Sequence, residues 1–148
     1  MFESGAILLH IASKSDVLAP SDAAGRARMA SWVFAAVNSI EPIAQNVIEL
    51  DDNHKDEPRA EDRRTLLVKR LLARLSALSD WLGEKSYLEE RFTVGDLMMV
   101  CVLRELAAAG LLASFLALDA YRRRGETRPA FSQALEAQLK PFREHDPG

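Results

Sequence analysis

The stretch FTVGDLMMVCVL, residues 92–103, joins a helix start to an unbroken apolar run. Thr93 and Asp96 have the spacing of a capping box, in which the Thr side chain accepts from the backbone N–H of Asp96 and the Asp carboxylate accepts from the N–H of Thr93. The run after them ends before Gly110, which supplies a stop. Residues 94–109 are therefore predicted to form a helix that is apolar on all sides and lies at the centre of a bundle.

The rest of the chain shows helical periodicity and no sustained alternation between hairpin turns, which predicts an all-α fold. A helix begins near Asp22 and carries a stripe of apolar residues. Pro42 interrupts this stripe, so we expect a bend near residues 38–41 or a break into two helices. A second stripe follows from about Glu61, ends at Gly83 and consists of Leu67, Leu71, Leu75, Leu78 and Leu82, widened by Trp81.

The remaining segments are shorter. Residues 51–64 are almost wholly polar and are predicted to form an exposed connection ending in an acidic helix start. After the central helix come the segment FLALDAYRRR and a last helix opened by Pro129. Pro141 is expected to end or kink that helix, and residues 144–148 read as a tail.

Composition limits the classes of function. The 148 residues, 48% hydrophobic, suit one domain with a sizeable core, and a net charge of −3 argues against a nucleic-acid-binding face. The single cysteine, Cys101, forms no internal disulfide, which favours a reducing compartment and therefore the cytoplasm. No apolar stretch approaches the ~20 residues of a membrane span. We expect neither nucleic acid nor a membrane as a partner.

No conventional catalytic constellation is present in the sequence. The three histidines, His10, His54 and His145, have no metal-ligand spacing between any two of them, so no metal site is predicted. Cys101 lies among apolar residues with no nearby cation to stabilise a thiolate, which favours an inert core thiol. No residue of this chain is therefore assigned a catalytic role.

The stretch FESGAILLHIA, residues 2–12, is the one place where polar groups occupy a defined structural position. Ser4 is a candidate N-cap, and the N–H groups of a helix start suit a ligand carboxylate. Glu3 beside it suits a ligand ammonium group, so the pair would fit the zwitterionic end of an amino acid. The alternative interpretation is an ordinary capped helix.

FESGAILLHIA resembles the start of the last helix of the thioredoxin-like domain in cytosolic glutathione transferases, where an acid followed by Ser binds the γ-glutamyl end of glutathione. The rest of the chain is similar to the helical C-terminal domain of that family, through SIEP, WLGEKSYLEERFTVGDLMM and LDAYRRRGETRPAFSQAL. The resemblance makes Thr93 and Asp96 fold determinants. It also implies two parts, residues 1–19 as the end of the thioredoxin-like domain and residues 20–148 as the helical domain.

This resemblance implies conjugation of glutathione, as co-substrate and with no further cofactor, to a hydrophobic electrophile, as in detoxification. Glu3 and Ser4 would bind glutathione, and Met29, Trp32 and Val33 are the candidates for the hydrophobic substrate wall. The thiol-activating residue and the cis-Pro loop of the family have no counterpart in these residues. We therefore expect an N-terminally truncated transferase that is inactive as an isolated chain, with a homodimer as the expected assembly.

A second hypothesis is a non-catalytic helical interaction module. Domains of similar kind are fused to translation factors and aminoacyl-tRNA synthetases, where they serve protein assembly. The exposed faces of the two long helices would then pair with another chain, and Glu3 and Ser4 would only cap a helix.

Overall fold

The computed structural model describes residues 1–145, and these residues form an all-α bundle. The elements are α1 (Ser4–Ser13), α2 (Ala23–Phe34), a π-helical segment (Ala35–Ile40), α3 (Glu41–Asn53), α4 (Ala60–Leu82), α5 (Val94–Ala108), α6 (Leu116–Glu126) and α7 (Pro129–Glu144). Outside these helices, the described residues contain one isolated β-bridge, between Glu89 and Arg91. The predicted fold class is confirmed.

Helix α5 is the central helix, as predicted. It is buried along most of its length, and α2, the π-helical segment and α6 pack around it. Gly95 allows the closest approach, because a Cβ there would lie 2.9 Å from Cβ of Trp32 and 3.2 Å from the carbonyl oxygen of Met29. Both contacts are on or next to the α2 backbone, so this glycine sets how closely α2 and α5 pack.

The capping box at the start of α5 is confirmed in both directions. Asp96 is fully buried, and its carboxylate also accepts from the backbone N–H of Leu88 at 2.9 Å and from the hydroxyl of Tyr121 at 2.9 Å. Burial raises the pKa of Asp96, and the hydrogen bonds from Leu88, Thr93 and Tyr121 oppose that rise. One carboxylate thus joins the start of α5 to α6 and to the loop before α5.

The long second helix is interrupted close to where the sequence predicts a bend or a break, by the π-helical segment Ala35–Ile40. The π-helical segment directly precedes Pro42, which lies in the first turn of α3. Proline has no N–H to donate and crowds the preceding turn, so the α-helical ladder cannot run through this position. The helix accommodates the gap with a π-helical segment rather than a full break.

The connection between the two long helices is shorter than the predicted loop over residues 51–64. Helix α3 continues to Asn53 and α4 begins at Ala60. Arg64 donates from Nε and Nη2 to the two carboxylate oxygens of Asp51, at 2.7 and 2.9 Å. This paired geometry joins the end of α3 to the start of α4. Gly83 ends α4 with a φ of 49°, as expected.

The last two helices are less deeply packed. Pro129 opens α7, as predicted, but Pro141 does not end the helix, which continues to Glu144. Helix α7 has no fully buried residue, whereas α6 buries Leu118 and Tyr121. The predicted tail lies mostly outside the described residues. Among residues 1–145, no helix is both long and apolar enough to cross a membrane.

Candidate functional site

The start of α1 carries the candidate glutathione-binding residues. Ser4 is the first residue of the helix, and the capping position belongs to Glu3. The predicted N-cap role of Ser4 is therefore wrong. No side chain within residues 1–145 caps this end. The unpaired N–H groups of the first turn remain open to an external acceptor.

Glu3 has a strained backbone, with φ 68° and ψ 111°. A non-glycine residue with positive φ costs about 1–3 kcal/mol and persists where its surroundings enforce it, often at ligand sites. The side chains of Glu3 and Ser4 are both exposed. The start of α1 therefore carries an exposed carboxylate, an exposed hydroxyl and backbone N–H groups that no side chain caps, which suits an ammonium group and a carboxylate on one ligand.

Gly5 docks this end of α1 against α2. It is buried, and a Cβ there would lie 3.3 Å from Cγ1 of Val33. Further along, Ala12 of α1 shares a core cluster with Met29, Val33 and Val94. Packing on α2 and α5 thus fixes the position of Glu3 and Ser4 relative to the bundle.

The three residues predicted to form the substrate wall, Met29, Trp32 and Val33, differ in their exposure to solvent. Met29 and Val33 are 4% and 0% exposed and hold α1 in place, so neither is open to a ligand. Trp32 is half-buried. Its Nε1 donates to Oε1 of Glu89 at 3.1 Å, and its ring lies 5.3 Å from that of Trp81. Assigning Met29 and Val33 to the wall is incorrect because the stripe they belong to is the core-facing one.

Sequence reasoning missed Phe34, which is 50% exposed. It borders an open groove of about 670 Å³ along α2 and the π-helical segment, whose lining residues are Ala27, Ala30, Ser31, Phe34, Ala35, Asn38 and Ser39. The available signal was an aromatic residue directly after Val33, off the core-facing stripe. Trp32 instead borders a smaller cavity of about 160 Å³ toward α4.

Cys101 does not qualify as a nucleophile. It is half-buried in α5, and burial raises the pKa of its thiol. The thiolate that would attack an electrophile is therefore disfavoured at neutral pH. Within residues 1–145, no cluster of three His, Cys, Asp or Glu side chains is arranged to hold a metal ion.

Comparison with known proteins gave results only at the level of structure. No family model matches the sequence, and no curated protein matches it. A glutathione transferase from Burkholderia graminis, solved with two glutathione molecules bound per subunit, is 25% identical with a TM-score of 0.81 over 92% of this chain. A glutathione transferase family member from Pseudomonas fluorescens, with two glutathione bound, is 25% identical with a TM-score of 0.80 over 92% of this chain.

A third similar structure is the nitrogen regulation fragment of the yeast prion protein Ure2p, 19% identical, with a TM-score of 0.81 over 92% of this chain and 67% of that one. This chain spans 60% and 63% of the two bacterial proteins. The helices of residues 1–145 and their likeness to these structures show that this chain has the glutathione transferase fold, in the form of that family's C-terminal helical domain.

Proposed function

We propose that this chain is the helical part of a glutathione transferase-like protein and that Glu3 and Ser4 bind the γ-glutamyl end of glutathione. The strained backbone of Glu3 at the uncapped, exposed start of α1 is the observation that carries the proposal. The bacterial proteins of similar structure were solved with glutathione bound, which supports glutathione as the ligand.

The proposed parent reaction is attack of the glutathione thiolate on a hydrophobic electrophile. Phe34 and Trp32 are the exposed or half-exposed aromatic residues of α2 that could contact such a substrate. In the family that this chain resembles, the residue that activates the glutathione thiol belongs to a thioredoxin-like domain, whereas residues 1–145 form helices and contain no sheet. The proposal therefore assigns to these residues binding and substrate contact, and thiol activation to a thioredoxin-like domain.

The first prediction is that the 148-residue chain alone does not catalyse conjugation of glutathione to an aryl halide. Without a group that lowers the pKa of the glutathione thiol, the thiolate fraction stays at its solution value. The measurement is the conjugation rate with 1-chloro-2,4-dinitrobenzene, with and without the chain. A rate well above the uncatalysed one would contradict this division of roles.

The second prediction concerns glutathione binding by α1. We expect a weak affinity, detectable by NMR titration at millimolar glutathione, that falls about tenfold or more in Glu3→Gln, because a charge-assisted hydrogen bond contributes about 1.5–3 kcal/mol. Ser4→Ala should weaken binding in the same direction. Cysteinylglycine, which lacks the γ-glutamyl group, should not bind.

Glu61→Gln is the matched control, since Glu61 is an exposed acid in the first turn of another helix, α4. It should leave glutathione binding unchanged. Ser4 caps no helix, so Ser4→Ala should keep the free energy of unfolding within about 0.5 kcal/mol of wild type. Equal affinity in wild type and Glu3→Gln would refute the assignment of Glu3.

A second candidate function is a helical interaction module. Helix α4 keeps Leu66 and Leu72 exposed, at 50% and 39%, and Phe34 is exposed on α2. Exposed apolar side chains on long helices suit a protein partner, including a second copy of the chain. We propose a homodimer and a cytoplasmic location for this chain under both candidate functions, the glutathione transferase-like protein and the interaction module.

A further inference from the structure

A cavity of about 370 Å³ lies between the central helix α5 and the last helix α7. It is separate from the start of α1. Leu97 and Val100 of α5 form one side, Phe131 and Leu135 of α7 form another, and Leu18 closes one end. A volume of this size with mainly apolar walls is typical of sites for small organic ligands.

Two arginines, Arg104 and Arg128, give the cavity its positive charge. Arg128 lies over the ring of Phe92, with Cζ 3.8 Å from the ring centroid, and it forms no ion pair with any acid in residues 1–145. Arg104 is different, because its Nε lies 3.1 Å from Oε1 of Glu126. Within residues 1–145, Arg128 is therefore the arginine of the cavity that has no acidic partner, and the guanidinium is a good partner for a carboxylate.

Helix α7 covers the cavity and is loosely held. None of its residues is fully buried, and Phe131 and Leu135 are only half-buried although they face α5 across the cavity. An apolar ligand between the two helices would remove these side chains from water. The occupant that fits has an apolar body and one negative end.

We propose that the cavity between α5 and α7 binds a small amphipathic carboxylate, with its hydrocarbon part between the two helices and its carboxylate at Arg128. A neutral alcohol of the same length would make the same apolar contacts but would not form the ion pair with Arg128. This proposal is independent of glutathione binding at Glu3 and Ser4, because it uses none of the same residues.

Cys101 provides a reporter inside the cavity. It is the only cysteine of the chain and lines the cavity wall. Alkylation of the protein therefore measures access to this one position. A ligand that fills the cavity should slow the reaction, because only the unoccupied fraction of the protein reacts.

The test is the rate of Cys101 alkylation by N-ethylmaleimide, followed by intact mass, with decanoate as the probe. At a decanoate concentration ten times its dissociation constant, we expect about a tenfold slower reaction. Decanol at the same concentration should protect less. Unchanged labelling with decanoate, or equal protection by decanol, would overturn the proposal.

Two arginine variants test whether protection by decanoate depends on the positive charge of Arg128. Arg128→Gln should label at the wild-type rate without ligand and lose the protection by decanoate. Arg143→Gln is the matched control, because Arg143 is a cation of α7 outside the cavity that pairs with Glu136 at 2.7 Å, and it should keep the protection. Full protection in Arg128→Gln would show that the arginine does not bind the carboxylate.

A filling variant gives a test that does not depend on the arginine. Ala134 lines the cavity from α7 and is exposed, so Ala134→Phe should occupy the space without disturbing the core. We expect slower labelling of Cys101 without ligand and no further effect of decanoate. Circular dichroism of each variant checks that the helices are intact. Decanoate protection that persists in folded Ala134→Phe would place the ligand elsewhere and contradict the proposal.

Discussion

Asp96→Ala is expected to destabilise the chain by about 4 kcal/mol or more, since it removes the acceptor for several buried hydrogen bonds, each to a charged group worth about 1.5–3 kcal/mol. The N–H groups of Leu88 and Thr93 and the hydroxyl of Tyr121 would lose this partner. A domain of this size typically has an unfolding free energy of only about 5–15 kcal/mol. The substitution should therefore bring the chain close to its unfolding threshold.

The measurement is urea unfolding followed by circular dichroism. Asp80→Ala is the matched control, because Asp80 is an exposed acid of α4 with no hydrogen bond or ion pair from its side chain to another described residue. It should stay within about 0.5 kcal/mol of wild type. A loss below about 1 kcal/mol for Asp96→Ala would show that water or neighbouring groups replace the carboxylate.

The carboxylate of Asp96 also makes the folding stability depend on pH, and the direction of that dependence follows from the shift of its pKa. Burial raises the pKa of Asp96 in the folded state above its ordinary value, so the folded chain binds this proton at higher pH than the unfolded chain does. The part of Asp96's contribution to stability that depends on this proton is then fully present below the unfolded pKa and is lost as pH rises through the folded pKa, while the hydrogen bonds that the carboxylate accepts remain. The advantage of wild type over the non-titrating Asp96→Asn should therefore be larger at pH 4 than at pH 7.

The central helix and its capping box were predictable because their signals are local. Thr93 and Asp96 are three residues apart, and the apolar run follows directly. The hydrogen bond from Tyr121 to Asp96 spans 25 residues and exists only after α6 has packed on α5. No short-range pattern marks such a contact. Local signals thus identified the helix, whereas the tertiary contact of its cap was not predictable.

At the candidate site, too, local sequence patterns predict the position of the residues but not their backbone conformation or tertiary contacts. The place of Glu3 and Ser4 before an apolar helix is predictable, but the helix begins one residue earlier than the prediction of Ser4 as N-cap implies, because the positive φ of Glu3 has no signature in the sequence. Met29 and Val33 share a stripe, and periodicity predicts that a stripe is buried. It cannot tell a core from a ligand wall, and here α1 covers the stripe.

The apolar run of α5 has two environments that its composition does not distinguish. Leu103 is 0% exposed and belongs to the main core cluster, whereas Leu97 is half-buried and borders the cavity beneath α7. Truncation of a buried leucine costs its transfer free energy and the free energy of the void it leaves. The two leucines should therefore respond differently to the same change.

Leu103→Ala is expected to reduce the free energy of unfolding by about 3–4 kcal/mol, within the range for fully buried leucines. Leu97→Ala should cost about 1–2 kcal/mol, because Leu97 already faces open space on one side and loses fewer contacts. Urea unfolding of both variants tests this, with equal m-values showing that the unfolded states are comparable. Equal losses would mean that α7 closes tightly on α5 in solution, so that Leu97 packs as a core residue. A difference of about 2 kcal/mol would show that the packing on the α7 side of the central helix is incomplete, as a ligand cavity requires.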